Sequence, residues 1–385
     1  MDFELTDEQQ FIRQTVRDFA QKEIAPRSAQ IDETGEFPHD IFNKMAELGL
    51  LGLPFPEEYG GAEADALSVT LATEEIARGD GSTALAYLAH IGLGSTPIFL
   101  YGNEEQKRTF LVPAAKGEYL AAFGLTEPQA GSDAGATRTT AVLEGDQWVI
   151  NGEKMWITNA PIAGHIIVAA LTDREKGRKG ISMIIVPRDT PGLSFGKHEH
   201  KMGLHGSMST AVFLNDVRVP KENLLGDRGR GYAQFLAILD GGRITIGAMA
   251  IGLAQTAYEH ALKYAQERET FGRPIGSYQS VSNMIADMVV GLEASRLLVY
   301  KAAWLKAQGK PFSKEAAVAK LYATEASEKI CRDAIQVLGG YGYSSEFPVE
   351  RQYRDTRLLT IGEGTSEIQR MVIARHVLGS FAAQM

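Results

Sequence analysis

The sequence predicts an α+β chain of several packed units. These are an N-terminal α-helical domain over residues 1–117, a middle antiparallel β-barrel domain over 118–228, and a C-terminal four-helix bundle over 229–385. Three observations carry that expectation. At 385 residues the chain exceeds one ordinary core. Apolar residues recur three and four apart at both ends, which is helical spacing. Between them lie short strand-like runs punctuated by turn residues at close spacing.

In the first segment Thr6 and Gln9 form a capping-box pair, and Phe11, Ile12, Val16 and Phe19 follow on one face. Pro26 is expected to close that helix. Residues 41–50 and 67–78 give two more helical patterns, with Glu58-Tyr59-Gly60-Gly61 as a loop between them. The texture changes near Glu118. Residues 119–125 read as a strand, and residues 141–143 and 147–150 flank a Glu144-Gly145-Asp146 hairpin turn. Asn151-Gly152 is expected to make a tight turn before 154–158. Residues 165–171, 181–187 and 210–214 continue the series, and 173–180 is a charged loop. From Gly231 the helical pattern returns: 231–270 with Gly241-Gly242 inside it, then 280–308, 313–338 and 366–378. Long helices joined by short Gly/Pro corners make a bundle.

Composition removes several classes of function. A net charge of -9 argues against a nucleic-acid partner. The one cysteine, Cys331, lies in a helical pattern and reads as a packed, inert thiol. No apolar run approaches the roughly 18 residues of a membrane span. The start, Met1-Asp2-Phe3-Glu4, carries an early acid and no apolar stretch, so a cytoplasmic or already processed protein is expected. Neither G-x-G-x-x-G nor G-x-x-x-x-G-K is present, so any nucleotide is held in another way. His198, His200 and His205 are close together but lack cysteine neighbours, and no metal site is expected. Gly192-Leu193-Ser194-Phe195-Gly196 matches a hydrolase elbow, but more strand-like sequence follows it and no helix, so it reads as a turn.

Two segments stand out chemically. Leu125-Thr126-Glu127-Pro128-Gln129-Ala130-Gly131-Ser132-Asp133 places hydroxyls, N–H donors and a glycine at a strand end. It is either a loop that approaches a flat polar ligand or a pyrophosphate, or an ordinary strand-exit turn. In the second, Ser366 and Gln369 are expected to form a capping box, and Glu363 sits before that helix between two glycines in an apolar approach. Glu363 is either an acid complementing the helix dipole or a base whose pKa burial has raised.

Four further motifs, Asn151-Gly152-x-Lys154-x-Trp156-Ile157-Thr158-Asn159, Glu267-Arg268-x-Thr270-Phe271-Gly272, Gln336-Val337-Leu338-Gly339-Gly340-Tyr341-Gly342 and Tyr353-Arg354-Asp355, bear on that choice, beside the full second segment Glu363-Gly364-Thr365-Ser366-Glu367-Ile368-Gln369. With the Leu125 segment they run in order over almost the whole chain, which therefore resembles the acyl-CoA dehydrogenase family, of short- or branched-chain type. The resemblance implies FAD between the β-domain and the bundle. Phe123, Leu125, Thr126, Gly131 and Ser132 would line it, Trp156 would pack on the isoalloxazine, and Ile157 and Thr158 would lie beside it, with Thr158 donating toward N5. Arg268, Phe271, Gln279, Gln336, Gly339 and Gly340 would reach the adenosine diphosphate half of a neighbouring subunit's FAD, while Thr365 and Glu367 would close over the cofactor. A homotetramer, a dimer of dimers, follows.

The resemblance also implies the reaction. Glu363 would take the pro-R α-proton of an acyl-CoA, and the β-hydrogen would leave as hydride to the flavin. The Glu363 N–H and a ribityl hydroxyl would stabilise the enolate. Ser132, Asp240, Arg243 and Gly364 would contact substrate. Some members draw the base from the long helix, just before the residue matching Arg243. That position is Gly242 here, which cannot act. Gly362 stands where many relatives carry Tyr, so a pocket tolerant of branched acyl groups is expected. Electrons would pass to an electron-transferring flavoprotein. The alternative within the fold is an acyl-CoA oxidase or a related flavoenzyme on another carbon acid.

Overall fold

The computed structural model describes residues 4–379; the reading of Met1-Asp2-Phe3 lies outside them. Helices occupy the chain from Asp7 to Ala115, strands run from Leu120 to Leu225, and long helices return from Gly231.

The first helix, Asp7–Phe19, carries the expected capping box, with Gln9 N–H donating to the Thr6 hydroxyl and the Gln9 amide oxygen accepting from Thr6 N–H. Its apolar stripe is narrower than expected. Val16 and Phe19 are buried, but Phe11 points to solvent, because residue 11 lies about 100° around the helix from residue 12. Nor does Pro26 end the helical path. A π-turn at Ala20–Ile24 and a 3₁₀ turn at Ala25–Arg27 carry it into the helix Ser28–Thr34. Pro26 sits at the start of the 3₁₀ turn, where its missing N–H is not needed.

The sheet contains β1 (Leu120–Gly124), β2 (Thr140–Glu144), β3 (Gln147–Thr158), β4 (Ala163–Leu171), β5 (Ile181–Pro187), β6 (Leu193–Phe195), β7 (Ser209–Pro220) and β8 (Leu224–Leu225). They lie in the order β6-β7-β3-β2-β4-β5-β8, with β1 against β4. Pairing is antiparallel except for β1 with β4 and a single β2–β4 contact, which are parallel. The parallel pair arises because the β2–β3 hairpin intervenes before the chain returns beside β1. Gly145, at φ 63°, makes the β2–β3 turn as expected. Asn151-Gly152 makes none. Strand β3 continues through it, with a bulge between Ile150 and Gly152 against β7. Glycine is required there for close approach, since a Cβ would lie 2.4 Å from the Thr139 hydroxyl. Ser194 of the hydrolase-like motif lies on β6, which is followed by no helix.

The bundle consists of Gly231–Glu267, Gln279–Ala307, Ser313–Leu338 and Ser366–Leu378. A further helix, Val349–Thr356, was not evident in the sequence, because it is only eight residues long and Val349 and Tyr353 are its only apolar side chains. The helix Ala66–Gly79 packs on Gly231–Glu267 and joins the N-terminal helices to the bundle. Its buried Glu74 accepts from Arg296 and Tyr300, and Glu75 pairs with Arg13, Arg17 and Arg78. Two segments, Gly81–Tyr101 and Gly231–Glu267, do reach the length and mean hydropathy of a membrane span. Unbroken apolar runs do not reveal them, since Gly and Thr interrupt both. In each, 72% of the apolar window is buried inside the fold, as in a core helix. Cys331 is fully buried, and that burial pushes its thiol pKa up.

Candidate active site

Glu363 lies in the turn that leads into the helix Ser366–Leu378. The helix is capped by Thr365, whose hydroxyl accepts from Ile368 N–H at 3.3 Å. The Ser366–Gln369 box expected from sequence does not form, because the cap falls one residue earlier. Gln369 instead turns back and donates to the Gly364 carbonyl at 2.9 Å. Lys320, from the helix Ser313–Leu338, donates to the same oxygen at 2.7 Å. Both Glu363 (φ 50°) and Gly364 (φ 94°) adopt left-handed backbone conformations. For Glu363 that costs about 1 kcal/mol, which the surrounding contacts must hold in place.

This turn aims the Glu363 carboxylate at the helix Gly231–Glu267. A Cβ added to Gly242 would lie 1.9 Å from Glu363 Oε2. The missing side chain of Gly242 is therefore the space the carboxylate occupies. Oε2 is buried and has no hydrogen-bond partner among the described residues. Burial pushes the carboxyl up to about 7, with Lys320 and Arg243 opposing the rise. A carboxylate poised near neutrality with an unoccupied oxygen can accept a proton. Arg243 is buried and paired with Asp240 one turn back. We expect Gly242→Ala to displace the carboxylate, lowering kcat at least about tenfold while the fold survives. Unchanged kcat with intact circular dichroism would contradict this packing.

The Leu125 segment is organised around a buried ion pair that the sequence reading did not single out. Glu127 accepts from Lys154 Nζ at 2.7 Å, from Arg138 N–H at 2.7 Å, from Thr139 N–H at 3.0 Å and from the Thr137 hydroxyl. Lys154 also donates to the Leu125 carbonyl at 3.2 Å, and Met155 N–H donates to the Thr126 carbonyl at 2.8 Å. Burial pushes the Glu127 carboxyl up, but Lys154 and the hydroxyl donors outweigh it and hold it at about 2. The loop is thus stitched to β3 just before a second bulge, between Lys154 and Ile157. There Trp156 takes φ 63° and presents an indole that is 56% exposed. Phe123 and Ile157 are buried, Thr158 meets the Ser209 hydroxyl at 3.3 Å, and Gly131 and Ser132 are exposed with open space beside Gly131. An exposed indole flanked by hydroxyls and an open glycine loop suits a large flat heterocycle.

A third group is separate. Arg268, Gly339 and Gly340 line a cleft of about 610 Å³ with Tyr264, Thr270 and Tyr341. Phe271 is 91% exposed on the adjoining hairpin, and Gln279 and Gln336 lie at helix ends nearby in sequence. Gly242 and Arg268 belong to one helix and its C-cap. Their separation of 26 residues (268 − 242) corresponds to about 39 Å at 1.5 Å per residue. At that separation the Arg268 group does not join Glu363 within a single chain. Thr365 and Glu367 lie with Glu363, Glu367 exposed in the first helical turn.

Comparison with known proteins matches the chain to three family models in succession: "Acyl-CoA dehydrogenase, N-terminal domain" over residues 6–118, "middle domain" over 122–217 and "C-terminal domain" over 229–378. A probable acyl-CoA dehydrogenase of Bacillus subtilis is 55% identical over 379 residues, covering 98% of this chain and all of the relative. The structure of butyryl-CoA dehydrogenase from Megasphaera elsdenii superposes with a TM-score of 0.96 at 43% identity, over 98% of this chain and all of that one. An acyl-CoA dehydrogenase complexed with FAD from Bacillus anthracis gives a TM-score of 0.93 at 36% identity, over 99% of this chain and 68% of that one.

Proposed function

The chain belongs to the acyl-CoA dehydrogenase family, and on that premise we propose that it converts an acyl-CoA thioester to its trans-2-enoyl-CoA with Glu363 as the base. The observation that carries this reading is the Glu363 carboxylate, with one buried oxygen unpartnered and its pKa pushed up to about 7. Glu363 would remove the pro-R α-proton, its own N–H helping to stabilise the enolate oxygen. Arg243, held by Asp240, orders the base region and faces substrate with Ser132 and Gly364.

FAD, when bound, supplies the oxidant, with its N5 accepting the β-hydrogen as hydride. Residues Phe123, Leu125, Thr126, Gly131, Ser132, Trp156, Ile157 and Thr158 would hold the flavin side, and Thr365 and Glu367 would close over it. Arg268, Phe271, Gln279, Gln336, Gly339 and Gly340 would serve the FAD of a neighbouring subunit. The roughly 39 Å between Gly242 and Arg268 supports that division, and the family resemblance implies a homotetramer built as a dimer of dimers. Three domains, 1–117, 118–228 and 229–385, a cytoplasmic location and an electron-transferring flavoprotein as acceptor complete the reading.

Gly362 sets the expected substrate range. Its φ is not positive, and a Cβ there would meet only Leu358, at 3.7–4.0 Å. Neither backbone nor packing demands glycine, so the space beside the base is left to the acyl group. The test is an anaerobic absorbance titration of the flavin-loaded protein with butyryl-, isobutyryl-, isovaleryl-, octanoyl- and palmitoyl-CoA. Bleaching of the flavin band by short and branched acyl groups is expected. Bleaching by straight chains alone would remove the role of Gly362. A flavin spectrum that no acyl-CoA alters would remove the proposed reaction.

A further inference from the structure

We propose that Lys320 is a positioning residue for the base: its ammonium clamps the Glu363–Gly364 turn through the Gly364 carbonyl and places near the carboxylate a positive charge that no carboxylate contacts. This rests on the reading of Glu363 as the base.

Lys320 has no exposed surface. Its own helix is buried around it at Ala316, Ala317, Ala319, Ala323 and Thr324. An ammonium has three donors. Among the described residues its one hydrogen-bond acceptor is the Gly364 carbonyl at 2.7 Å, and no carboxylate lies within ion-pairing distance. Lys154, the other fully buried lysine, has a full carboxylate partner in Glu127. A buried cation without such a partner costs stability.

The turn it holds needs holding. Glu363 is a non-glycine residue at φ 50°, followed by Gly364 at φ 94°, and the Gly364 carbonyl is fixed from two sides by Lys320 and Gln369. The charges around the carboxylate show why Lys320 counts. The helix Gly231–Glu267 offers Arg243, but Asp240 pairs with it and offsets its field. Glu325 on the lysine's own helix and Glu367 in the first turn of the last helix are both negative. Lys320 is the cation in this group without a carboxylate in contact. It also lowers the Glu363 pKa against the effect of burial, ahead of Arg243.

The test compares Lys320→Gln, which keeps a donor but no charge, with Lys320→Met, which keeps neither, in the FAD-loaded enzyme on butyryl-CoA. For Lys320→Gln, the acid limb of the kcat/KM profile should move up by about one pH unit. Lys320→Met should show the same shift and a kcat about 10²-fold lower, with KM changed less than about threefold. Should Lys320→Met fail to fold, Lys320→Gln, which keeps a donor, decides the matter alone. An unmoved acid limb, with losses confined to melting temperature or flavin content, would overturn the proposal and leave Lys320 a packing residue. Glu363→Gln run beside them separates the two readings. If it is fully active, the base assignment falls and this proposal with it. If it is inactive while the lysine variants keep the parental limb, only this proposal falls.

Discussion

Glu363→Gln is expected to leave a yellow, FAD-loaded protein whose dehydrogenation of acyl-CoA is slower by at least about 10³-fold, the scale of a lost general base. The substitution is nearly isosteric, so it fits the space that Gly242 provides while replacing the proton-accepting carboxylate with a non-basic amide. In the parent, kcat/KM should rise as pH increases and level off above about 7, where the carboxyl becomes ionised. The same shift has a stability consequence whose sign is fixed. The folded pKa lies above the ordinary value of 4.5, so the fold favours the protonated form. That contribution is fully present below about 4.5 and is lost as pH rises through about 7. Glu363→Gln escapes the loss. Without bound acyl-CoA it should match the parent near pH 4 and exceed it at pH 8 by on the order of 2 kcal/mol, allowing for partial exposure of the side chain. Urea unfolding at the two pH values measures this. Full activity in the variant would remove Glu363 as the base, whatever the stability result.

The order of helices, strands and helices was legible because each segment carries its own period. Local errors occurred where a residue's usual role was overridden by its neighbours. Pro26 begins a 3₁₀ turn and so does not stop the chain's helical path. Asn151-Gly152 resembles a hairpin turn, but Thr139 presses against Gly152 and a bulge results. Glu363 could be singled out from its setting between glycines before a capped helix. What sequence could not give were partners separated by tens of residues. Lys154 and Glu127 are 27 residues apart, and Lys320 and Gly364 are 44 apart. No periodicity connects such positions; the topology of β3 and the packing of two bundle helices do. Gly242 illustrates the same limit. Its sequence shows that it cannot be a base, but only the geometry shows that it makes room for the Glu363 carboxylate.

Removing one side of the Glu127–Lys154 pair should have the largest structural effect of any single change in the β-domain. In Lys154→Met the Glu127 carboxylate remains buried without its cation. Breaking a buried pair from one side typically costs about 3–5 kcal/mol, far more than a surface pair. The damage would centre on the Leu125 loop, because Lys154 also donates to the Leu125 carbonyl and Glu127 gathers the N–H groups of Arg138 and Thr139. Flavin content per protein should therefore fall together with the urea midpoint. In the parent, the Glu127 carboxyl is held at about 2, below its ordinary value. Its stabilising contribution is thus present above about 4.5 and is lost only as pH falls through about 2. Acidification to pH 4 should leave the parent's loop intact. The double variant Glu127→Leu/Lys154→Met provides the control, since it leaves no buried charge and should regain part of the lost stability. It should not regain the flavin content, because the donors now fixed on Glu127 would have no common acceptor. A Lys154→Met protein with parental stability and full flavin content would show that the loop holds its shape without the pair.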